Sequence, residues 1–417
     1  MNRLGNTKGI VLLLSFIMMA VTAVIVFVFL YLVTAQQRNM TSYTGRVKAY
    51  WLAEAGTQRA VKELRTGAAY RATPSSLHFS GQTLSGAQGV YSVDDVEFAT
   101  DASGATITNK YIITSTGTVG DETRTIRSIW TLQQTSLFKW ASFSGGSSGG
   151  TTIGASLSGQ ALTDSYDAAK GAYNALLADG SYNIGSNGDL GTNADITTSG
   201  QAHIGGDAIT GPLGTYSDQT AVSGAISHTS AVTLPPVTVP SLAWLSLPAI
   251  EKNKDNVIDP GNYTAPNIDL SGQTTVTFTG RSTIYLTGSD SIKMGAQNSI
   301  IIAGTGPVII YIDGNATIGG QGIVNNSGLP ANFQIYGTST CTSIDYNGQT
   351  AFYGAIYALQ ATMTMSGQSG MYGAFIADQT IIGGVGGVHY DESLLTSADI
   401  DPQITSFSAE EEDYHQL

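Results

Sequence analysis

From Ile10 to Val33 the chain reads IVLLLSFIMMAVTAVIVFVFLYLV, with no charged side chain and only Ser15 and Thr22 as frankly polar groups. About 20 apolar residues in a helix cross the ~30 Å hydrocarbon core of a bilayer, because each adds about 1.5 Å of rise. The run therefore predicts a transmembrane helix. A cleaved secretory signal has a shorter apolar region with a small-residue site after it, a pattern this run does not match, so the helix is expected to stay in the mature chain. Arg3 and Lys8 precede the run while Arg38, Arg46 and Lys48 follow it, so counting cations does not favour an N-inside orientation.

Helix formers continue through residues 35–65, and Val47, Tyr50, Trp51, Val61 and Leu64 fall near helical spacing on one side. One continuous helix from Ile10 to Arg65 would run about 84 Å. Residues 67–90 read as a linker. Beyond them GVYSVDDVEFAT and TNKYIITSTGTVGDETRTIRSIWTLQQT alternate β-branched or aromatic residues with polar ones, and Gly120 and Asp121 supply a turn. Residues 67–140 thus predict a linker and a small antiparallel β module.

From residue 141 to 395 short apolar strands end repeatedly in Gly, Ser, Asn or Asp, as in TVTFTG, TIYLTG, SIIIAG, VIIYIDG and MYGAFIA. Such strands can stack, burying a ladder of Val and Ile and turning polar residues outward, so the region predicts a β-helix or solenoid. Within it SYDAAKGAYNALLADG, at 165–180, has the spacing of a short inserted helix that Asp164 would cap. LPPVTVPSLAWLSLP, from Leu234 to Pro248, lacks the ladder donors of a central strand and favours an extended polyproline conformation. It is expected to split the solenoid in two, near 234–262. Residues 396–417 are acidic and predict a solvated tail. The fold class is mainly β, behind one N-terminal helix.

The formal net charge is −13, divided as +7 over residues 1–71 and −20 over the rest. Phosphate backbones are bound by clustered cations, so the acidic remainder argues against a nucleic-acid partner. Cys341 is the only cysteine, which excludes an intrachain disulfide framework and a thiolate zinc cluster.

Carboxylates on a β-helix raise the question of glycoside chemistry. Asp164 and Asp167 sit at an expected helix start, where capping accounts for them. His389, Asp391 and Glu392 in HYDE form an acid/base or metal candidate, set against hydrogen-bonded closure of the last turn. Asp255, Asn256, Asp259 and Asn262 lack the regular spacing of a calcium loop and fit turn chemistry. No nucleophile elbow, zinc-protease or phosphate-loop motif is present, so no catalytic residue, metal ligand or cofactor is assigned. Tyr357, Tyr372 and Tyr390 are candidates for a ligand-stacking row, with core packing as the competing account.

The basic stretch MNRLGNTKG, whose Gly9 abuts the apolar run, resembles a type IV prepilin leader. The resemblance implies that a prepilin peptidase cuts between Gly9 and Ile10 in the 1–9 leader, making Ile10 the mature N-terminus of a 10–66 membrane helix and stem. Pilins usually carry a glutamate at the fifth mature position, which here is Leu14; the departure implies a low-copy, terminal or membrane-retained subunit. AYWLAEAGTQRAVKEL resembles the N-terminal region of PilX-like proteins, with Ala53, Glu54, Ala55 and Gly56 as its core, and gives Glu54 a candidate assembly role beside an ordinary solvated one. The region 141–395 resembles an uncharacterised glycine-rich domain that follows PilX-like stems, notably in ALTDSYDAAKGAYN, YIDGNATIGGQGI, AFYGAIYA and GGVHYDESL.

Together these imply a minor-pilin-like surface protein that is not an enzyme. It would be anchored in the inner membrane, with its β body on the periplasmic or extracellular side. Its partners would be the peptidase, other pilins or minor pilins, and a surface carbohydrate or protein ligand. The alternatives are a membrane-tethered carbohydrate-active enzyme and a self-assembling solenoid scaffold.

Overall fold

The computed structural model describes residues 7–66, 70–71, 73–145, 153–295, 297–366, 370–384, 386–401 and 405–416. They form two compact units, one of Met1–Gln133 with Phe407–Leu417 and one of Gln134–Ser406. Most of the leader, residues 1–6, lies outside the described residues. The protein is mainly β, with one long apolar helix at its N-terminus.

That helix, α1 (Thr7–Thr66), has two halves of opposite character. From Val11 to Leu32 its apolar side chains are exposed, whereas farther along Ala49, Leu52, Ala53, Thr57, Ala60, Val61 and Leu64 are buried. The buried positions recur at helical spacing and pack on an antiparallel sheet of β1 (Phe79–Gln82), β2 (Val90–Thr100), β3 (Thr106–Val119) and β4 (Glu122–Ser136). The β3–β4 turn falls at Gly120 and Asp121, with Val119 opposite Glu122 and Gly120 at φ 58°.

Small residues set how closely the helix approaches. A Cβ on Gly117 would lie 2.0 Å from the Ala49 carbonyl oxygen, and one on Gly56 would lie 2.2 Å from Ser115 Oγ. The packing face is therefore centred on Ala49, Ala53, Gly56 and Ala60. Val61 and Leu64 share it, but Trp51 is 62% exposed and Val47 is also exposed, so the large residues of the expected stripe divide between two sides.

The acidic tail is not simply solvated. Thr405–Gln416 forms a strand beside β4, where Glu412 meets the Lys110 ammonium and the Thr131 hydroxyl. The free edge of β4 offers unpaired backbone groups that another strand satisfies whatever its charge. Composition alone is silent about that.

The second unit is built on parallel pairings that line up as three ladders. One runs Leu245, Tyr263, Ile284, Ile310, Ile335, Ile356, Phe375, Ser142, Leu190, Ala208, Ile226. A second runs Ile268, Ile292, Ala316, Ile344, Met363, Thr380, Ala155, Ile196, Tyr216. The third contains Val276, Ile300 and Ile323 at one end and Phe352, Met371, Val388, Thr163, Ile204, Val222 at the other. Most of these side chains are buried in one apolar core, which stabilises the stack by the area they remove from water. At the last turn the Tyr216 hydroxyl closes the stack by donating to the carbonyls of Ala208 and Ser227, at 2.9 and 2.6 Å.

In each ladder the sequence jumps once, from Phe375 to Ser142, from Thr380 to Ala155 and from Val388 to Thr163. The stack is thus two series, 142–228 and 245–391, joined without chain continuity. The Pro-rich segment does not separate them; it runs back along them. The Asn193 side chain bonds Val232, the Tyr357 hydroxyl bonds the Pro235 carbonyl, Trp244 lies beside Tyr285, and the Leu247 amide bonds the Thr264 carbonyl. Ten ladder steps of about 4.8 Å make about 48 Å, and the 16 steps from Thr229 to Leu245 at about 3.1 Å each make about 50 Å. A polyproline-like strap therefore fits the span, which is why prolines are tolerated there.

The expected helix at 165–180 is absent. Ser165 and Tyr166 end a strand, and from Asp167 the chain forms a loop in which the Asn183 side-chain amide donates to the carbonyls of Asp167, Gly171 and Ala172, groups a helix would need for itself. Gly171, at φ 139°, also interrupts any helical run. Asp164 lies in the strand Leu162–Tyr166 and caps nothing.

Candidate functional site

On α1 the residues that bear on anchoring lie in one helical run. Gly9 and Ile10 are in its first turn, and Leu14 is 63% exposed among other exposed apolar side chains. Glu54 lies outside the close seam of Ala53, Gly56 and Ala60; it is half-buried and accepts a hydrogen bond from Gln58 Nε2 at 2.8 Å. Burial, followed by the nearby Glu54 charge, raises the carboxyl of Glu411 above its ordinary range.

Just beyond the apolar run the β3–β4 turn meets the helix. Glu122 accepts from Ser42 Oγ at 2.5 Å and pairs with Arg46 Nε at 3.0 Å, while Gly45 leaves room for the Glu122 side chain. The hydrogen bond from Ser42, then that from Arg46, lowers the Glu122 carboxyl below the usual glutamate range. Sequence reasoning missed this clamp, whose only local signal is a carboxylate directly after a turn.

The tyrosine row does not form as expected. Tyr357 and Tyr390 are buried, and only Tyr372 is half-exposed. Tyr285, Tyr311, Tyr336 and Tyr357 do stand side by side on successive turns. That column is covered: Tyr357 by the strap at Pro235 and by Phe138, and Tyr311 by Asp401. The Tyr390 hydroxyl donates to the Phe138 carbonyl at 2.8 Å.

Tyr372 belongs instead to a second column of Tyr353, Tyr372, His389 and Asp164 in register. Tyr353 and Tyr372 stack at 4.5 Å and 11°, and Tyr372 stacks on His389 at 4.6 Å. Both faces of Tyr372 are thereby occupied, and Tyr166 and Tyr173 pack on it edge to face at 6.0 and 5.4 Å. This is poor geometry for a sugar, which needs an open aromatic face. Tyr173 lies over His389 at 4.1 Å and donates to Asp164 Oδ2 at 2.6 Å, while His389 Nδ1 lies 2.5 Å from Asp164 Oδ1. Burial and then the bond to Asp164 push the Tyr173 phenol up.

The three polar residues of HYDE diverge. His389 goes to Asp164. Asp391 accepts from the amides of Ala168 and Ser393, and burial pushes its carboxyl up. Glu392 accepts from Ser165 Oγ and Asn187 Nδ2. All three reach from the second series to residues of the first or of its loop, so the motif staples the junction. Asn256 likewise serves its own turn, bonding Glu251 and Lys254. Among the described residues no group of three His, Cys, Asp or Glu side chains is poised for a metal. Cys341 is buried, its thiol pushed up to about 12 by burial.

A family profile described as a domain of unknown function (DUF7305) matches residues 245–397, the second strand series with its HYDE staple. No curated protein sequence matches the chain. Among solved structures, the crystal structure of the competence-associated pilin ComZ from Thermus thermophilus aligns over 90% of this chain and 98% of its own, at 13% identity and a TM-score of 0.29.

Proposed function

We propose that this protein is a PilX-like, membrane-anchored subunit of a type IV pilus system that displays a β-solenoid, and that it has no catalytic role. One observation carries the reading. A single 60-residue helix exposes an apolar first half and has its second half clamped on a sheet, which suits a subunit that inserts by its helix and presents a folded body. The basic leader ending in Gly9 adds the processing step, with Ile10 as the mature N-terminus and a prepilin peptidase as the partner. The body lies on the side opposite the leader, periplasmic or extracellular. The three parallel ladders are read as the faces of the solenoid.

The absence of catalysis is supported by how the candidate acids are used, since His389, Asp391 and Glu392 are each spent on the junction. Leu14 offers no carboxylate to the ammonium of a neighbouring subunit, and an unpaired charge in an apolar bundle is expensive. The subunit is accordingly placed at low copy or at a terminus. Mass spectrometry of the mature chain tests the reading: a polypeptide beginning at Ile10 is expected, and an intact Met1 in surface material overturns it. Dense, uniform labelling along purified filaments would overturn the low-copy assignment alone.

A further inference from the structure

We infer that the notch between α1 and the β3–β4 turn seats the headgroup of a zwitterionic phospholipid, its phosphodiester on Arg38 and its ammonium toward Asp121. The notch encloses about 990 Å³ between helix residues Thr34 to Lys48 on one side and Gln88, Gly89 and Val119 to Glu122 on the other. It opens one residue past Val33, where the apolar run ends, so it continues the surface that the membrane would cover. The inference rests on the reading that α1 spans a bilayer.

Depth and charge select the ligand. At about 1.5 Å of rise per residue Arg38 stands about 7.5 Å beyond Val33, matching a headgroup layer of about 5–8 Å on each side of the hydrocarbon core. Lys48 is about 22 Å beyond it and lies outside that layer. Glu122 is already held by Ser42 and Arg46. Neither Arg38 nor Asp121 takes part in an ion pair among the described residues, and both are exposed. A phosphate binds a guanidinium through two parallel N–H donors, and the ammonium of such a lipid lies farther from the hydrocarbon than its phosphate. Glu122, next to Asp121, is held at Ser42 and Arg46, four and eight residues beyond Arg38 along the helix, so the turn that carries Asp121 is on that outer side.

The test uses the full chain in nanodiscs containing equal parts of a lipid with a primary ammonium and one with a trimethylammonium, followed by native mass spectrometry of the lipids retained. A trimethylammonium cannot donate a hydrogen bond to Asp121, so the primary ammonium is expected to be retained preferentially. Arg38→Gln should lower retention of both lipids by up to about fivefold, the effect of losing one exposed ion pair. Asp121→Ala should remove the preference by lowering retention of the primary-ammonium lipid to that of the trimethylammonium lipid. Unchanged retention in Arg38→Gln, or an intact preference in Asp121→Ala, overturns the inference. Displacement of the lipid by free phosphoethanolamine would make the site one for a soluble phosphate ester and would equally overturn it. Alkaline carbonate extraction of the wild-type chain reads the membrane anchor separately, since release there defeats the anchoring reading whatever the lipid result.

Discussion

His389 Nδ1 lies 2.5 Å from Asp164 Oδ1, and the contact joins the last strand of the 245–391 series to the first turn of the 142–228 series. Both side chains are almost fully buried, and Tyr173 closes the remaining carboxylate oxygen. Asp164→Ala would leave His389 and the Tyr173 hydroxyl without that partner. The expected loss is about 2 kcal/mol, the usual cost of stranding buried polar groups. Urea unfolding should show it, with faster amide exchange at 388–391. Asp269→Ala, on an exposed side chain of the same unit, should stay within about 0.5 kcal/mol of wild type.

The seam between helix and sheet has no room for an added methyl at Gly117, where a Cβ would sit 2.0 Å from the Ala49 carbonyl oxygen. Gly117→Ala should destabilise the helix–sheet unit by about 1–3 kcal/mol, as overpacking does. The readout is amide exchange from Ala49 to Leu64. Protection equal to wild type would show that the helix can shift away at no cost.

Tyr357→Phe removes the hydroxyl that donates to the Pro235 carbonyl at 2.6 Å and keeps the ring in place. A loss of about 1 kcal/mol is expected. Limited proteolysis should show cleavage between 229 and 244 appearing earlier than in wild type, with the ladders still protected.

Glu122 has its carboxyl lowered by Ser42 and Arg46 in the folded state. A lowered acid contributes stability that is present above its unfolded-state value and is lost as pH falls through the folded one. The clamp between α1 and the β3–β4 turn should therefore hold at neutral pH and loosen only below the ordinary glutamate range. Glu122→Gln should abolish that acid-dependent step in the exchange of residues 42–46. A step that persists in the variant would assign it to another carboxylate.

How much of this was legible depended on whether a property is local. The apolar run and the turn at Gly120 and Asp121 are set by neighbouring residues, and both can be read directly. Period-two alternation puts Tyr357 on the outer side of its strand, but whether an outer residue meets solvent depends on what crosses it, and Pro235 is remote in sequence. The prolines from Leu234 onward rule out a central strand, yet the span of the strap emerges only from the register of every ladder it crosses. The order of the two series was hidden for the same reason, because strand lengths and glycine spacing do not say that Phe375 neighbours Ser142. At 165–180 a helical spacing of Tyr166 and Tyr173 was present, but those rings pack edge to face in an aromatic cluster instead.

The strand Thr405–Gln416 belongs to the same sheet as β4, so the polypeptide leaves the helix–sheet unit at Gln133 and comes back to it at Phe407. The large β body is therefore held by both of its ends. A protease that nicks it once, in the strap or in any loop, leaves each fragment with a hold on the helix–sheet unit, the N-terminal one covalently through β4 and the C-terminal one by the hydrogen bonds of the strand Thr405–Gln416. Freeing the body intact takes a cut at each crossing, or one cut and the release of that strand from the sheet, so a body crossed twice tolerates single scissions that would strip one hung from a single linker.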